Sequence, residues 1–154
     1  MVLKYRASDY KDFSKETFEK HCPKNAAVIV LLKIEGGKIC GGFTMKGFSH
    51  SRQQEPAYSE DEDAVIFSVD ARLKFRPESE ARRALFNCGN DYLFSFGNKS
   101  LAVLSKKQDG KMFAHCSTSD EIYKVTAESN GKSVLTGEKD IAIISDIEIF
   151  EVEF

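Results

Sequence analysis

Apolar residues fall in short runs along this chain, and turn-forming residues separate them. The strongest run is Ala27-Val28-Ile29-Val30-Leu31-Leu32-Lys33-Ile34, interrupted only by Lys33. It is rich in β-branched side chains and nearly continuous in apolarity, which predicts a strand buried on both faces. Glu35-Gly36-Gly37 supplies the backbone freedom for a tight turn into Lys38-Ile39-Cys40-Gly41-Gly42-Phe43, a hairpin partner. Gly41 and Gly42 weaken that second strand intrinsically, so they mark a bulge or the close approach of another backbone. Ala64–Val69 reads as a further buried strand. Shorter candidates are Ala84–Asn87, Tyr92–Phe96, Leu101–Ser105 and Lys111–His115, punctuated by Gly89-Asn90-Asp91, Gly97-Asn98 and Asp109-Gly110.

One segment has helical character. Ser14 is a good N-cap, with Phe13 just before it and Phe18 four positions into the helix, the spacing of a hydrophobic staple. Glu16 lies in the first turn, where the positive end of the helix dipole favours it. Pro23 cannot continue the helix, which therefore stops near His21 or Cys22.

The segment Asp140–Phe154 alternates with a slip. Ile147 and Ile149 alternate with Asp146 and Glu148, then Phe150, Val152 and Phe154 alternate with Glu151 and Glu153. A period of two puts the two apolar sets on opposite faces, so either a bulge lies between Ile149 and Phe150 or both faces are covered. Many short strands, one small helix and no helix–strand alternation predict a mainly β (α+β) fold: a two-layer antiparallel β-sandwich with short flanking helices.

Length and charge narrow the picture. At 154 residues the chain reads as one domain, residues 1–154, large enough to bury a core without staples. Its 22 basic and 24 acidic residues give a net charge of -2, which removes the broad basic field of a non-specific nucleic-acid binder. The longest apolar run, Ala26–Leu32, is seven residues, far below the ~20 of a membrane-spanning helix. The start of the chain has no apolar leader. Cys22, Cys40, Cys88 and Cys116 are widely spaced without a Cys-x-x-Cys pair, so they are expected to be reduced thiols in a cytoplasmic setting. Charge is concentrated in two stretches expected to be exposed loops. Residues 49–63 end in Glu60-Asp61-Glu62-Asp63, and residues 72–83 carry Arg72, Lys74, Arg76, Arg82 and Arg83. Each is either a solvated surface or a docking patch that steers a partner, and Glu60, Asp61, Glu62, Asp63, Arg72, Lys74 and Arg76 are the candidate binding residues.

Catalytic and cofactor motifs fail on spacing. Asn130-Gly131-Lys132-Ser133 resembles the end of a phosphate-binding loop, but the required glycine is replaced by Thr126. His21-Cys22 and His115-Cys116 are adjacent pairs whose members point apart on an extended strand, so neither readily supplies two metal ligands. No Gly-x-Ser-x-Gly elbow is present. Phe outnumbers Tyr twelve to five, which suits a core better than a base-stacking surface. No cofactor, metal site or catalytic residue is expected.

The order of the motifs resembles the TLDc domain family over nearly the whole chain. The carriers are Leu3–Ser8 with Phe13-Ser14 and Phe18–Cys22; the hairpin ending Ile39-Cys40-Gly41-Gly42-Phe43-Thr44; and the strand ending Phe67-Ser68. The Phe96-Gly97 step follows, then Leu135-Thr136-Gly137-Glu138 and the closing Asp146-Ile147-Glu148-Ile149-Phe150. Departures are Phe48 where the family usually has tryptophan, Asn98-Lys99-Ser100-Leu101 after Phe-Gly, and Ile141 where a phenylalanine is usual. The resemblance implies a sandwich of two antiparallel sheets. It makes Gly41, Gly42, Phe67, Ser68, Phe96, Gly97, Gly137, Glu148 and Phe150 structural motif residues. It further implies an association with oxidative-stress resistance and with binding of the vacuolar-type proton pump. The expected function is a non-catalytic protein–protein interaction module, an accessory or regulatory subunit of a larger assembly. The alternatives are a structural subunit of a cytoskeletal or axonemal complex, and a thiol-based antioxidant using its cysteines. A protein partner is expected, with no nucleic acid and no direct membrane insertion.

Overall fold

The computed structural model describes residues 1–48, 57–87, 89–117, 122–123, 135–137 and 141–154, with the side chains of 78–80 excepted. Eleven strands are present among them: β1 (Val2–Arg6), β2 (Val28–Ile34), β3 (Ile39–Thr44), β4 (Ala57–Ser59), β5 (Val65–Ser68), β6 (Leu73–Phe75), β7 (Leu85–Asn87), β8 (Tyr92–Phe96), β9 (Leu101–Leu104), β10 (Met112–His115) and β11 (Ile141–Glu151). The helix α1 spans Lys15–His21, and 3-10 turns cover Ala7–Asp9 and Glu78–Arg83. The strands form one antiparallel sheet in the order β4-β7-β8-β9-β10-β11-β2-β3-β5-β6. β10 pairs with the first residues of β11 and β1 with its last, so the long strand serves two partners along one edge.

The mainly β expectation holds, with a change in how the layers are made. The two layers are parts of one continuous hydrogen-bonded sheet that curls over. β8 and β3 lie five places apart in the strand order, yet Phe96 of β8 packs against Gly42 of β3. Inside the curl lie Tyr5, Phe18, Val28, Val30, Leu32, Cys40, Ile66, Phe96, Leu101, Ile147 and Ile149, all at most 1% exposed. Burying about ten such side chains, at roughly 1.5–3 kcal/mol each, supplies the main driving force of folding.

The helix forms where local chemistry places it. Ser14 caps it by accepting from the Thr17 N–H at 3.2 Å, and Cys22 closes it through its N–H to the Phe18 carbonyl at 2.8 Å. Phe18 goes inward against Tyr5, Phe48 and Phe94, with ring centroids 5.6, 6.4 and 5.8 Å away, so α1 plugs the space between β1 and β8. Phe48, standing where the family usually has tryptophan, is 6% exposed and stacks on Phe94 at 4.7 Å. The aromatic position keeps its packing role.

Three local readings are corrected. In β2 only Val28, Val30, Leu32 and Ile34 are buried, while Ile29 and Leu31 are half-buried and Lys33 is exposed, so the strand is not covered on both faces. The pairing of β11 with β2 runs unbroken through Ile149 and Phe150 and slips instead between Ile144 and Asp146. That bulge at Ser145 moves the inward set from Ala142 and Ile144 to Ile147 and Ile149, and sends Phe150 to the other face. The two supposed loops also hold structure. Ala57–Ser59 is a strand paired with β7, Leu73–Phe75 is one paired with β5, and residues 78–83 form the second 3-10 turn.

Candidate interaction face

The paired glycines lie at the centre of the fold. There is no bulge: β3 pairs residue for residue with β2 from Val28↔Thr44 to Lys33↔Ile39. A side-chain carbon on Gly41 would overlap the Val30 carbonyl and sit 3.2 Å from the Phe67 ring. Phe67 is the direct cross-strand neighbour of Gly41, and its ring covers the glycine as an aromatic commonly does in sheets. On the opposite side, a carbon on Gly42 would collide with the ring of Phe96. The close approach is thus made by a backbone and two rings together. Gly41-Gly42, Phe67-Ser68 and Phe96-Gly97, separate motifs in the chain, are one packed unit. Ser68 and Gly97 turn the chain at its margins. Ser68 Oγ accepts from the Ala71 N–H at 3.2 Å, and Gly97, at φ 60°, donates to the Ala84 carbonyl at 2.8 Å. Gly137 also has a positive φ, 75°.

With one face of β11, β2, β3 and β5 turned inward, the other carries a row that the register lines up across five strands. Leu3 stands opposite Phe150, Phe150 opposite Ile29, Ile29 opposite Phe43, and Phe43 opposite Val65. The next row runs Arg6, Glu148, Leu31, Gly41, Phe67 and Lys74. Ile29, Leu31, Phe43, Val65, Phe67 and Phe150 each keep partial contact with solvent, and Leu3 is 36% exposed. The outward face of this layer is therefore apolar at its centre. Isolated surface hydrophobes need no explanation, but a contiguous apolar stretch of this kind is a candidate contact surface.

Charges border it. Glu148 accepts from Arg6 Nε at 2.9 Å and lies 3.6 Å from Lys33 Nζ. Lys4 pairs with Glu151 at 2.8 Å. These contacts hold the Arg6 and Lys4 pKa values above their ordinary range, in each case chiefly through the hydrogen bond to the glutamate. Ser8 adds bonds from its N–H and Oγ to Asp146, 3.1 and 2.8 Å long. Glu148 therefore anchors β1 to β11 and β2, while Phe150 belongs to the apolar row.

The candidate charged residues divide. Glu60, Glu62 and Asp63 are exposed, but Asp61 is 2% exposed and is no docking residue. Its carboxylate accepts from Thr44 Oγ1 at 2.5 Å, from the Met45 N–H at 2.9 Å and from the Asp63 N–H at 3.1 Å. Its own N–H donates to the Ala81 carbonyl at 3.0 Å, so it ties the end of β3 to the second 3-10 turn. Arg72, Lys74 and Arg76 are exposed on and around β6, with Lys74 level with Phe67 at the end of the second outward row. Arg83 instead lies over the Tyr58 ring, 4.6 Å from its centroid, and donates to its hydroxyl at 3.0 Å.

The described thiols are turned inward. Cys22, Cys40 and Cys116 are buried, and burial pushes Cys22 and Cys40 up to about 12. Thiolate chemistry needs the opposite, exposure and a lowered pKa. His21 stacks on Tyr10 at 4.6 Å and His115 faces Tyr92 with 3.4 Å between Nδ1 and the hydroxyl. Among the described residues no three His, Cys, Asp or Glu side chains converge as a metal site would require. Cys88, His50, Glu138 and the Asn130–Ser133 segment lie outside the described residues.

The signal for the outward face was present in the chain. The unbroken apolarity of Val28–Leu32 predicts two buried faces, and the structure has one buried face and one half-buried outward face. These features define a mainly β domain built from one curled antiparallel sheet. A TLDc domain family model matches residues 2–153, and the chain belongs to that family. None of the curated proteins compared with it matches. No described helix is long and apolar enough to cross a membrane.

Proposed function

We propose that this chain is a non-catalytic protein–protein interaction module, acting as an accessory or regulatory subunit of a larger assembly. The observation that carries this reading is the apolar outward row Leu3–Phe150–Ile29–Phe43–Val65. The rigid sheet presents it ready-formed, so little ordering cost accompanies binding. A protein fits this surface better than a lipid bilayer, because the border mixes acidic with basic groups in pairs (Arg6–Glu148–Lys33, Lys4–Glu151) rather than offering a polybasic rim. Membership of the TLDc family favours the vacuolar-type proton pump as the assembly, reached from the cytoplasmic side, and connects the protein with oxidative-stress resistance. The burial of Cys22, Cys40 and Cys116 favours an indirect route to such protection over thiol chemistry at these three residues.

The test is affinity purification of the native protein at low salt, in parallel with Phe43→Gln and Ile29→Gln. Pump subunits recovered in stoichiometric amounts with the wild type, and lost with either folded variant, are the expected result. Equal recovery by all three removes the face from the reading. Cytoskeletal subunits in place of pump subunits overturn the choice of assembly, and turnover of a defined substrate abolished by one polar substitution overturns the non-catalytic assignment.

A further inference from the structure

The curled sheet ends at β6, and the residues there differ from those of a merely guarded edge. Among the described residues β6 pairs only with β5, through Ser68↔Leu73, Phe67↔Lys74 and Ile66↔Phe75. One side of its backbone is therefore free to pair within the described structure. The register puts Leu73 and Phe75 on the inward row and Lys74 on the outward one. Phe75 packs against the core, whereas Leu73 is 45% exposed and nearby Val69 is 49% exposed. Arg72, Lys74 and Arg76 are all exposed and form no ion pair among the described residues.

Charged side chains on an edge strand often serve only to prevent a sheet from pairing with its own copies. That role accounts for the three cations. It makes no use of Leu73, which the register places beside Phe75 on the inward row and which is 45% exposed at the open edge. We propose that β6 receives an additional strand from a partner: an extended segment in which apolar residues alternate with carboxylates. Successive residues of a strand face opposite sides. The apolar set of such a segment would extend the inward row past Leu73 and Phe75, and its carboxylates would lie beside Lys74 and Arg76 on the outward side. Backbone hydrogen bonds to β6 supply affinity, and the alternating pockets and charges supply selectivity. The inference rests on the interaction-module reading and names the partner segment that reaches the edge, next to the apolar face that takes the partner's body.

The probe is a capped synthetic decapeptide alternating glutamate with valine, titrated into the full chain while backbone amide resonances are followed by NMR. Shifts centred on Leu73–Phe75 are expected, with affinity falling as salt rises. A Lys74→Glu, Arg76→Glu double variant should weaken binding roughly tenfold, and a peptide with lysine in place of glutamate should not bind. A third peptide, N-methylated at every residue, has no backbone N–H to donate to β6 and should also fail with the unaltered protein, which keeps the test independent of how the variant folds. Absence of binding, shifts centred elsewhere, or indifference to charge reversal and N-methylation each overturn the proposal. Phe43→Gln should leave peptide binding intact, so loss of the edge and loss of the face are separately readable.

Discussion

The ring of Phe96 occupies the space into which a side chain at Gly42 would project. The two residues are 54 positions apart and belong to opposite layers of the curled sheet, so this contact sets how closely β8 can approach β3. Replacing Gly42 by alanine removes a costly glycine from a strand interior, which by itself favours folding. The overlap with the ring opposes and exceeds that gain, because overpacking a core costs typically 1–3 kcal/mol. Gly42→Ala is expected to destabilise the domain by about 2 kcal/mol in urea unfolding. In a double-mutant cycle with Phe96→Leu, the combined loss should fall short of the summed single losses by roughly 1 kcal/mol. Strict additivity would show that the ring and the glycine do not constrain each other.

Asp61 separates chemically from the acidic run that contains it. Asp61→Ala strips the partner from the Thr44 hydroxyl and from the Met45 and Asp63 N–H groups. Leaving buried donors unsatisfied costs ~1–3 kcal/mol. A loss of about 3 kcal/mol is expected for Asp61→Ala, against changes within roughly 0.5 kcal/mol for Glu60→Gln and Glu62→Gln. Chemical denaturation of the three variants side by side checks the contrast.

Alkaline pH should weaken the fold. Burial raises Cys22 and Cys40 from 9.0 to about 12, and Tyr5 from 10.0 to about 12, Tyr5 chiefly because its hydroxyl is desolvated. Above the unfolded values the unfolded chain loses these protons while the folded chain keeps them, so the stability these groups contribute is complete below pH 9 and declines towards 12. The urea midpoint should drop across that window, and Cys22→Ala should flatten the drop. At pH 8 the thiols of Cys22, Cys40 and Cys116 should react with an aromatic disulfide reagent only at the rate of opening, and rapidly in denaturant. Fast labelling of the native protein at these positions would contradict their burial.

Ser14 gives a local test. Its side chain accepts from the Thr17 N–H and also donates to Asp12 Oδ2 at 2.9 Å. Ser14→Ala is expected to cost about 1 kcal/mol, and Ser14→Gly less than Ser14→Ala, as for helix N-caps generally. Thermal unfolding followed by circular dichroism measures both.

Features carried by neighbouring residues were legible in the chain. Ser14, Phe18 and Pro23 specified the helix and its ends because capping involves groups a few positions apart. Alternation and β-branching marked β2, β3, β5 and β8–β10 for the same reason. Short strands such as β4 and β6 were hidden, since three residues carry too little periodicity and their pairing with β7 and β5 is what makes them strands. The slip in β11 was visible, but its location was not: the bulge at Ser145 depends on the register with β2.

By itself, the sequence determined a β-rich domain of the TLDc pattern and the position of the helix at Lys15–His21, and it narrowed Gly41 and Gly42 to a bulge or a close approach. Only the tertiary structure decided that Phe67 and Phe96 are what lies there. It likewise turned Asp61 inward, left Phe43 and Phe150 facing out, and joined the two layers into one curled sheet. The reason is physical. Propensities and caps act over a few residues, whereas burial and ring contacts are set by pairings between segments far apart in the chain. Such pairings decide which face of an apolar strand is covered and which is left facing outward.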